Sequence, residues 1–484
     1  MTRTRFLAAV LFTLQVGTSA CSDDDTSGDA PEAGRSGAGG SAGATAGRTS
    51  TEAGAAAAGR TSTEASAQSA EGTDDLSPLP NDIALPIVFV HGFSGSAQQF
   101  TSDGIRFVAN GYPSERLRAF EHDGAGMAGA QFVADLDTMI DEVRTKFGTE
   151  KVYLIGHSRG TSVSSMYLAD AERAAKVAKY VAEDGAGCAN ITVPCISPAQ
   201  TTNTRPGQTH PLPGQRHVEV ATSKESFAIQ FEFFFDRKPE VLDIVKQKKP
   251  VELSGRAVNV PANTAREGAL LDVWKIEATT GKRTGDKPVA HFEIPASGDW
   301  GPVTVDPDAY YEFVLSSNDS EFQHHFYEQP FLRSSQFVRL RSGPGDSPSR
   351  MNTNKGDNHA SITVSRMREW TPEDVLEIST QSPSGDQPPK NVISDASNNR
   401  IAIYIHDDAA TPGESSLALL PYFPDQAFQT GVDVFMPAKD SPDGTITIRN
   451  LPRGDADNPQ VLRVPNWSST NHNVSVLLSD TPRD

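Results

Sequence analysis

The sequence is short of basic residues and of hydrophobic residues for its length. It has 484 residues, with 43 Lys and Arg against 62 Asp and Glu, and 37% hydrophobic residues. The shortage of positive charge disfavours nucleic-acid binding, because such binding depends on neutralising phosphates with Lys and Arg. The low hydrophobic content indicates that part of the chain forms no packed core. The length predicts two or three domains.

Cysteine is scarce, and this restricts the possible disulfide and metal sites. The three cysteines are Cys21, Cys188 and Cys195. Cys188 and Cys195 have no histidine nearby in the spacing of a zinc site. If Cys21 carries a lipid, the other two remain as a pair, which predicts a local disulfide in an oxidising compartment.

The apolar run near the N-terminus, residues 6–17, is too short to span a bilayer. It follows the positively charged "MTRTR", so residues 1–20 are expected to be a signal peptide. The next string, "TSAC", resembles a bacterial lipobox, in which Cys21 becomes the lipidated first residue of the mature protein. Ordinary secretory cleavage near Ala20 is the alternative. The sequence therefore predicts an exported protein, either secreted or held at the outer membrane or cell surface by a lipid anchor.

Residues 21–80 contain almost no large apolar side chain. They consist mainly of Ala, Gly, Ser, Thr and Asp, and the string "GRTSTEA" occurs twice. Such a segment cannot bury enough apolar surface to offset the entropy of ordering it. We therefore expect a disordered tether between the lipidation site and the folded part.

Residues 81–248 alternate between buried strands and amphipathic helices. The runs at 87–90 and 152–155 are continuously apolar, which is typical of strands buried on both faces of a parallel sheet. Residues 137–148 have helical spacing and end at a glycine, and a third strand is expected around Tyr180. This alternation predicts an α/β layered domain.

From residue 249 onward the pattern changes to short alternating strands separated by Gly, Pro, Asn and Asp. No long amphipathic helix interrupts them, which predicts an all-β region, either a sandwich or a barrel. The string "SGPGDSPSR" at 342–350 is expected to divide this region into a β domain over 249–345 and a second β subdomain over 346–484.

The string "GHSRG" at 156–160 places Ser158 between two glycines. It matches the nucleophile-elbow pattern G-x-S-x-G, in which a sharp turn from strand to helix holds the serine hydroxyl at the edge of a sheet. The start of the following helix also favours negative charge nearby. An apolar strand precedes the string and a helix with small residues follows it, so we predict that Ser158 is a nucleophile. A surface turn that matches by chance is the alternative.

Three strings, "HGFSGSAQQF", "RFVANGYP" and "GHSRGTSVSSMYL", resemble those of the α/β-hydrolase lipases and carboxylesterases. More narrowly, they resemble the group with a small hydrolase domain followed by a β-rich C-terminal domain. The resemblance implies an α/β-hydrolase fold, with a mainly parallel sheet and flanking helices, followed by all-β C-terminal domains. It also implies that the β region binds lipid or substrate, and that the catalytic residues follow the order Ser, acid, His.

The resemblance further implies an oxyanion hole made of backbone N–H groups. In esterases of this fold, the "HG" loop after the first strand donates one N–H, which here would be that of Phe93. The N–H of Arg159, directly after the nucleophile, would be the second donor. A tight glycine turn that merely caps the strand is the alternative.

The acid and the base each have more than one candidate. The string "YVAEDGAG" offers Glu183 and Asp184 at the carboxyl end of the third strand, where α/β sheets place their ligands. Asp184 matches the family position better. His217 precedes a helix that Ser223 can cap, as the family's histidine does, and it is the expected general base. His359 is the rival base, although it requires the β region to reach over the active site.

The sequence as a whole predicts an exported serine hydrolase that cleaves lipid or other carboxylic esters through an acyl-enzyme. No metal or organic cofactor is expected. The alternatives are a polyester depolymerase, a thioesterase or an amidase with the same three residues, and a non-catalytic surface binding protein. The short hydrolase domain leaves little room for a long helical lid, which favours an open cleft.

Overall fold

Strand β1 (Ile87–Val90) is buried at every residue, as its apolar sequence predicts. The computed structural model of the chain describes residues 75–317, 320–343, 354–424 and 426–480. The predicted signal peptide, the predicted lipidation site Cys21 and most of the predicted tether lie outside the described residues. No helix within the described ranges is long and apolar enough to cross a membrane.

The strands that follow β1 extend it into a parallel sheet, called the central sheet below. They are β2 (Leu117–Phe120), β3 (Val152–His157), β4 (Val177–Glu183) and β5 (Cys195–Ile196). The order across the sheet is β2-β1-β3-β4-β5, and every neighbouring pair is parallel. Two short strands beyond the sheet, β6 (Pro198–Gln200) and β7 (His210–Leu212), pair with each other.

Helices cover both faces of the central sheet. They are α1 (Thr101–Ala109), α2 (Ala130–Phe147), α3 (Arg159–Leu168), α4 (Ala171–Ala174) and α5 (Lys224–Phe235). Ile87 and Phe89 of β1 belong to one apolar core with α1 and α5, whereas Val88 and Val90 belong to another with α2 and α3. The pleat of a strand sends successive side chains to opposite faces in this way. The predicted α/β layered domain is therefore confirmed.

The sequence signals for helix ends also appear in the structure. Helix α2 is longer at its start than the 137–148 pattern predicts, and its C-cap is Gly148 in the left-handed conformation, with φ at 62°. Glycine adopts this conformation without a Cβ penalty. Helix α5 begins after Ser223, whose side chain accepts a hydrogen bond from the N–H of Ser226.

The predicted disulfide between Cys188 and Cys195 is present. Cys195 begins β5, which lies at the edge of the central sheet beside β4. The disulfide therefore fastens the loop that follows β4 to the sheet from which it came.

The C-terminal part consists of β strands, as predicted. They are β8 (Val251–Asn259), β9 (Thr264–Ala265), β10 (Leu270–Ile276), β11 (Ala290–Glu293), β12 (Asp299–Val305), β13 (Tyr310–Ser317), β14 (Ser320–Glu328), β15 (Ser335–Ser342), β16 (Ile362–Ser365), β17 (Val375–Gln381), β18 (Gln387–Asn391), β19 (Ala402–His406), β20 (Gln429–Asp433), β21 (Thr445–Leu451), β22 (Gln460–Pro465) and β23 (His472–Leu477). An eight-stranded sheet, called the large sheet below, has the order β11-β10-β13-β14-β23-β16-β19-β20. Two smaller sheets have the orders β12-β8-β15, with β9 beside β8, and β18-β17-β21-β22.

The large sheet packs face to face against both smaller sheets. One apolar core joins Phe313 of the large sheet to Leu253 of β8, and a second joins Ile405 of the large sheet to Ile448 of β21. Stacked sheets of this kind form a sandwich. The large sheet takes strands from both sides of residue 345, because β14 pairs in parallel with β23. Residues 344–353, where the division was expected, lie outside the described residues.

Strand β15 connects the β region to the central sheet. The ring centroid of Phe337 lies 5.8 Å from that of Phe89, inside the apolar core that includes β1. The Nη2 group of Arg341 donates a hydrogen bond to the carbonyl oxygen of Ser94, at 2.9 Å, in the loop after β1. These contacts bring the β region next to the loop that carries the predicted oxyanion donor.

Candidate active site

Ser158 lies in the turn between β3 and α3, and its backbone is strained. Its φ is 54° and its ψ is −123°, a conformation that residues other than glycine rarely adopt. The N–H of Ser158 donates to the carbonyl oxygen of Glu183, at 3.0 Å, and the hydroxyl of Thr161 donates to the carbonyl oxygen of Ser158, at 2.6 Å. Hydrogen bonds on both sides therefore hold the turn that presents the serine side chain.

The two glycines of the "GHSRG" string are required by close packing. A Cβ atom on Gly160 would lie 2.0 Å from the carbonyl oxygen of Val90, and one on Gly156 would lie 2.9 Å from the carbonyl oxygen of Gly160. Both approaches are closer than real Cβ contacts. Only glycine lets the start of α3 pass this close to β1.

The structure brings the predicted nucleophile, base and acid together. The Nε2 atom of His217 lies 2.8 Å from the Oγ atom of Ser158. The Nδ1 atom of His217 lies 2.6 Å from Oδ2 of Asp184. Asp184 follows β4 directly, and His217 lies in the loop before α5. The imidazole thus bridges a hydroxyl and a carboxylate that come from the ends of two neighbouring strands.

The carboxylate of Asp184 is completely buried, and other side chains satisfy it. Oδ1 accepts hydrogen bonds from the backbone N–H of Gln200 at 3.2 Å and from Nδ2 of Asn203 at 3.0 Å, and Oδ2 also accepts one from Nε2 of Gln200 at 2.9 Å. Burial alone would raise the pKa of Asp184, but the hydrogen bond and charge of His217 and the bond from Asn203 lower it overall. Asp184 therefore stays ionised beside His217.

His157 holds the backbone of His217 in place. Burial lowers the pKa of His157 to about 3, so its ring is neutral. Its Nε2–H donates to the carbonyl oxygen of His217 at 2.9 Å, and its Nδ1 accepts from the side-chain amide of Gln99. The sequence places His157 inside the motif, but no local pattern reveals this contact with a residue sixty positions away.

The side chain of Arg159 forms hydrogen bonds with two loops beside Ser158, the one after β1 and the one after β2. Its guanidinium donates to the carbonyl oxygens of Asp123 at 2.7 Å, Gly124 at 3.0 Å and Gly92 at 3.4 Å. Burial lowers the pKa of Arg159 to about 10, which leaves it charged at neutral pH. The carbonyl of Gly92 is thereby fixed, and in a trans peptide the N–H of Phe93 then points to the opposite side.

The loop that contains Phe93 lies directly against Ser158. A Cβ atom on Gly92 would be 2.9 Å from the Cβ of Ser158. Phe93, Ser158 and His217 line the same cavity. Both predicted oxyanion donors, Phe93 and Arg159, therefore belong to segments that adjoin the serine.

Comparisons with protein families agree with this architecture. A family model described as serine aminopeptidase S33 matches residues 66–184. A model described as the lipase C-terminal domain matches residues 249–344, and a further model described as a C-terminal domain matches residues 349–482. The part of the chain that forms the central sheet has the α/β-hydrolase fold. The predicted arrangement of a hydrolase domain followed by β-rich C-terminal parts is thus confirmed.

Several solved structures are similar to this chain. The Bacillus licheniformis lipase BlEst2 in its propeptide form is 13% identical, with 81% of this chain and 95% of that chain covered and a TM-score of 0.29. A CIB-like hydrolase from Thermoplasma acidophilum is 14% identical, with 33% and 90% covered and a TM-score of 0.26. The α/β hydrolase MGS-MChE2, from a lagoon-sediment metagenome, is 15% identical, with 34% and 92% covered and a TM-score of 0.23. No curated protein matches the chain.

The β region contacts the site through two side chains that the sequence did not indicate. The ring of Phe428 stacks on His217, with centroids 5.8 Å apart and planes at 18°. The carboxylate of Glu369 accepts hydrogen bonds from the backbone N–H groups of the two residues that follow His217. These contacts are tertiary, so no local sequence pattern could have indicated them.

The rival acid and base do not meet Ser158. Glu183 is buried beneath the site, where its carboxylate accepts a hydrogen bond from Gln230 at 2.6 Å. His359 is buried in the β region, where Nε2 contacts the carbonyl oxygen of Asn354. Within the described ranges, no group of three or more His, Cys, Asp or Glu residues is placed to hold a metal ion.

Proposed function

We propose that this α/β hydrolase cleaves carboxylic esters through an acyl-enzyme, with Ser158 as nucleophile and His217 as general base. The observation that carries the proposal is the continuous hydrogen-bond chain from Oγ of Ser158 through His217 to Asp184, with distances of 2.8 and 2.6 Å. Nucleophile and base within hydrogen-bond reach, with the base oriented by a third group, is the arrangement that activates a serine.

In the proposed reaction, Oγ of Ser158 attacks the ester carbonyl carbon while Nε2 of His217 takes the hydroxyl proton. The carbonyl oxygen becomes an oxyanion, which the N–H groups of Phe93 and Arg159 stabilise. The carbon–oxygen bond to the alcohol then breaks, and the alcohol leaves with the proton from His217. Water, deprotonated by His217, attacks the acyl-enzyme, and the acid is released as Ser158 regains its proton.

The surroundings of the imidazole support these roles. Asp184 accepts the Nδ1–H of His217, which leaves Nε2 free to take the serine proton and stabilises the imidazolium that forms. His157 stays neutral and adds no positive charge beside that imidazolium.

We also propose that the protein acts outside the cytoplasm, on lipid or other esters, as a lipoprotein anchored through Cys21. The disulfide between Cys188 and Cys195 supports an oxidising compartment. The mass of the N-terminal peptide of the mature protein tests the anchor: a diacylglyceryl group on Cys21 is expected, and an unmodified N-terminus after Ala20 would show secretion instead.

Amides are the second candidate substrates. The family model that matches residues 66–184 is named for serine aminopeptidases, and the same three residues can attack an amide carbonyl. Esters are favoured because the lipase C-terminal model matches the region directly after the hydrolase domain. Amide substrates therefore belong in the same assays.

A fluorophosphonate probe and para-nitrophenyl esters of short and long acids test the proposal on the purified full chain. We expect the wild type to be labelled and to hydrolyse at least one ester, and Ser158→Ala to lose both properties. Ser165→Ala, in the same helix α3, is the matched control and keeps both. If the folded wild type is neither labelled nor active on esters, the proposed function is wrong, whereas cleavage of only para-nitroanilides would establish the amide alternative.

A further inference from the structure

Ser158 lies between two cavities of different character. One is a groove at the surface, lined by the highly exposed side chain of Met127 and by Arg205. The other is lined by the loop after β1 and by residues of the β region, among them Met367 and Phe428. The serine hydroxyl therefore has a route to solvent on one side and an internal space on the other.

The internal space continues into a larger cavity against the large sheet. The two cavities share Ser94, Arg341, Met367, Ile401 and Phe428 in their walls. We call them together the inner chamber. Its far wall carries many hydroxyl groups: Ser361, Thr363, Tyr404 and Ser475. The wall away from Ser158 therefore offers hydrogen-bonding groups among its apolar side chains, unlike a pocket lined only by hydrocarbon.

Three residues with carboxyl or guanidinium side chains line the inner chamber: Glu328, Arg339 and Arg341. The first two leave no free charge with which a ligand could pair. Arg339 forms a short ion pair with Glu121, at 2.5 Å. Burial raises the pKa of Glu328 to about 8, so its carboxyl is mostly protonated at neutral pH. Arg341 donates from Nη2 to the carbonyl oxygen of Ser94, but its buried Nε–H has no partner, and no carboxylate of the described ranges pairs with it. Arg341 is therefore the cation of the chamber wall that has no ion pair among the described residues, and the charge of Glu121 acts on it only from farther away.

A guanidinium that has no ion pair and whose buried Nε–H has no partner is costly, and a ligand that brings a carboxylate would relieve this cost. The planar guanidinium matches a carboxylate in geometry, and such charge-assisted hydrogen bonds are the stronger kind. The protonated carboxyl of Glu328 and the hydroxyl groups of the far wall are further donors for an oxygen-rich ligand.

The acyl part of a substrate suits the inner chamber better than the alcohol part. In the proposed reaction the acyl chain stays covalently attached to Ser158 until water releases it, whereas the alcohol leaves before that step. The surface groove beside Met127 offers the alcohol an exit and the water an entrance.

We propose that the inner chamber holds the acyl chain of an ester whose far end bears a carboxylate, and that Arg341 binds this carboxylate. The preferred substrates are then half-esters of dicarboxylic acids. The inference rests on the proposed ester hydrolysis at Ser158 and names the substrate class of that site.

Pairs of para-nitrophenyl esters with equal chain length test the inference. The half-esters of glutaric, adipic and suberic acid carry a free carboxylate, and the esters of pentanoic, hexanoic and octanoic acid end in a methyl group. At one or more lengths the wild type is expected to show a higher kcat/KM for the carboxylate-ended ester. In Arg341→Met this preference, measured as the ratio of the two kcat/KM values, falls by about tenfold or more.

Two variants and one labelling experiment distinguish a loss of carboxylate recognition from damage to the fold. Arg341→Lys keeps the charge and retains part of the preference, and Arg449→Met, in an exposed ion pair on β21, leaves it unchanged. Labelling of Arg341→Met by a small uncharged fluorophosphonate shows that Ser158 is still reactive, and any slowing through the contact of Arg341 with Ser94 affects both esters and cancels in the ratio of the two kcat/KM values. A wild type that hydrolyses methyl-ended esters without preferring the carboxylate, or an equal preference in Arg341→Met, overturns the inference but not the proposed function. A wild type inactive on every ester overturns both.

Discussion

The carboxylate of Glu369 accepts a hydrogen bond of 2.5 Å from the backbone N–H of Val218, the residue after His217. It also accepts one of 3.1 Å from the N–H of the next residue, Glu219. Glu369 belongs to the β region and is almost completely buried. The loop that contains His217 is thus held by a residue about 150 positions later in the chain, which makes the β region part of the support of the candidate active site.

Removal of this support should lower kcat more than it raises KM. Glu369→Ala frees the loop of His217, and a small displacement of a catalytic base costs about tenfold to a hundredfold in rate. Glu369→Gln keeps one acceptor oxygen and should recover part of the loss. Steady-state kinetics on a para-nitrophenyl ester check this, with Glu373→Ala, an exposed residue nearby, as the control. Equal kcat values for wild type and Glu369→Ala would show that the contact does not position His217.

Replacement of the predicted acid should slow the reaction without unfolding the protein. Asp184→Asn can donate to Nδ1 of His217 and so favours the wrong tautomer, with an expected fall of about 10³–10⁴-fold in kcat.

The lowered pKa of Asp184 also has a consequence for the wild type. Its carboxylate remains ionised at pH values where an ordinary aspartate takes up a proton, so protonation of Asp184 should not be the cause of activity loss at mildly acidic pH. A pH profile of kcat/KM for both forms checks this, and Asp82→Asn, on an exposed loop, serves as the control.

The sequence was most informative where short segments determine both structure and chemistry. The "GHSRG" string predicts the strand, the turn and the helix, and the structure shows Ser158 in that turn. The family positions favoured Asp184 over Glu183 and His217 over His359. In the structure His217 contacts both Ser158 and Asp184. Parallel strands end at the same edge of a sheet, so residues that follow β3 and β4 lie close together.

The sequence alone could not predict the contacts between segments that are distant along the chain. Glu369, Arg341 and Phe428 come from different strands and loops of the β region, and none belongs to a recognisable motif. Their neighbours are set by the packing of β15 on the central sheet and by the pairing of β14 with β23. The lengths of α2 and β3 were underestimated for a simpler reason, because polar and small residues at helix and strand ends weaken the periodic pattern.

A methyl group at Gly160 should destabilise the fold. In Gly160→Ala the new Cβ would lie 2.0 Å from the carbonyl oxygen of Val90, so α3 must move away from β1. Overpacking of this kind costs about 1–3 kcal/mol and occasionally more. Urea unfolding of the inactive Ser158→Ala background measures the cost apart from activity. Gly129→Ala, whose Cβ would meet nothing closer than 3.9 Å, is the matched control and should change stability little.

Loss of the disulfide should weaken the edge of the central sheet. The cysteines are seven residues apart, and closing so short a loop in the unfolded chain accounts for about 2–3 kcal/mol. The double variant Cys188→Ser and Cys195→Ser should therefore unfold at lower urea concentration than the wild type. Adding a reductant should shift the wild type to the same midpoint and leave the double variant unchanged. If the reductant leaves the urea midpoint of the wild type unchanged while the double variant is destabilised, the loss of stability comes from the serine side chains and not from the missing disulfide.

The buried carboxyl of Glu328 should make stability depend on pH in a predictable direction. Burial raises its pKa to about 8, whereas an unfolded glutamate titrates near about 4.3. Between these values the unfolded chain has lost a proton that the folded chain keeps, so stability falls as the pH rises. Glu328→Gln removes this contribution, and its Tm relative to wild type should increase from pH about 5 to pH about 8. Asp103, whose pKa burial raises to about 7, gives both proteins the same residual trend. Glu321→Gln, exposed on the same strand, is the control, and its Tm should change with pH as that of the wild type does. If the Tm of Glu328→Gln also changes with pH in parallel with the wild type, the carboxyl of Glu328 is in contact with water.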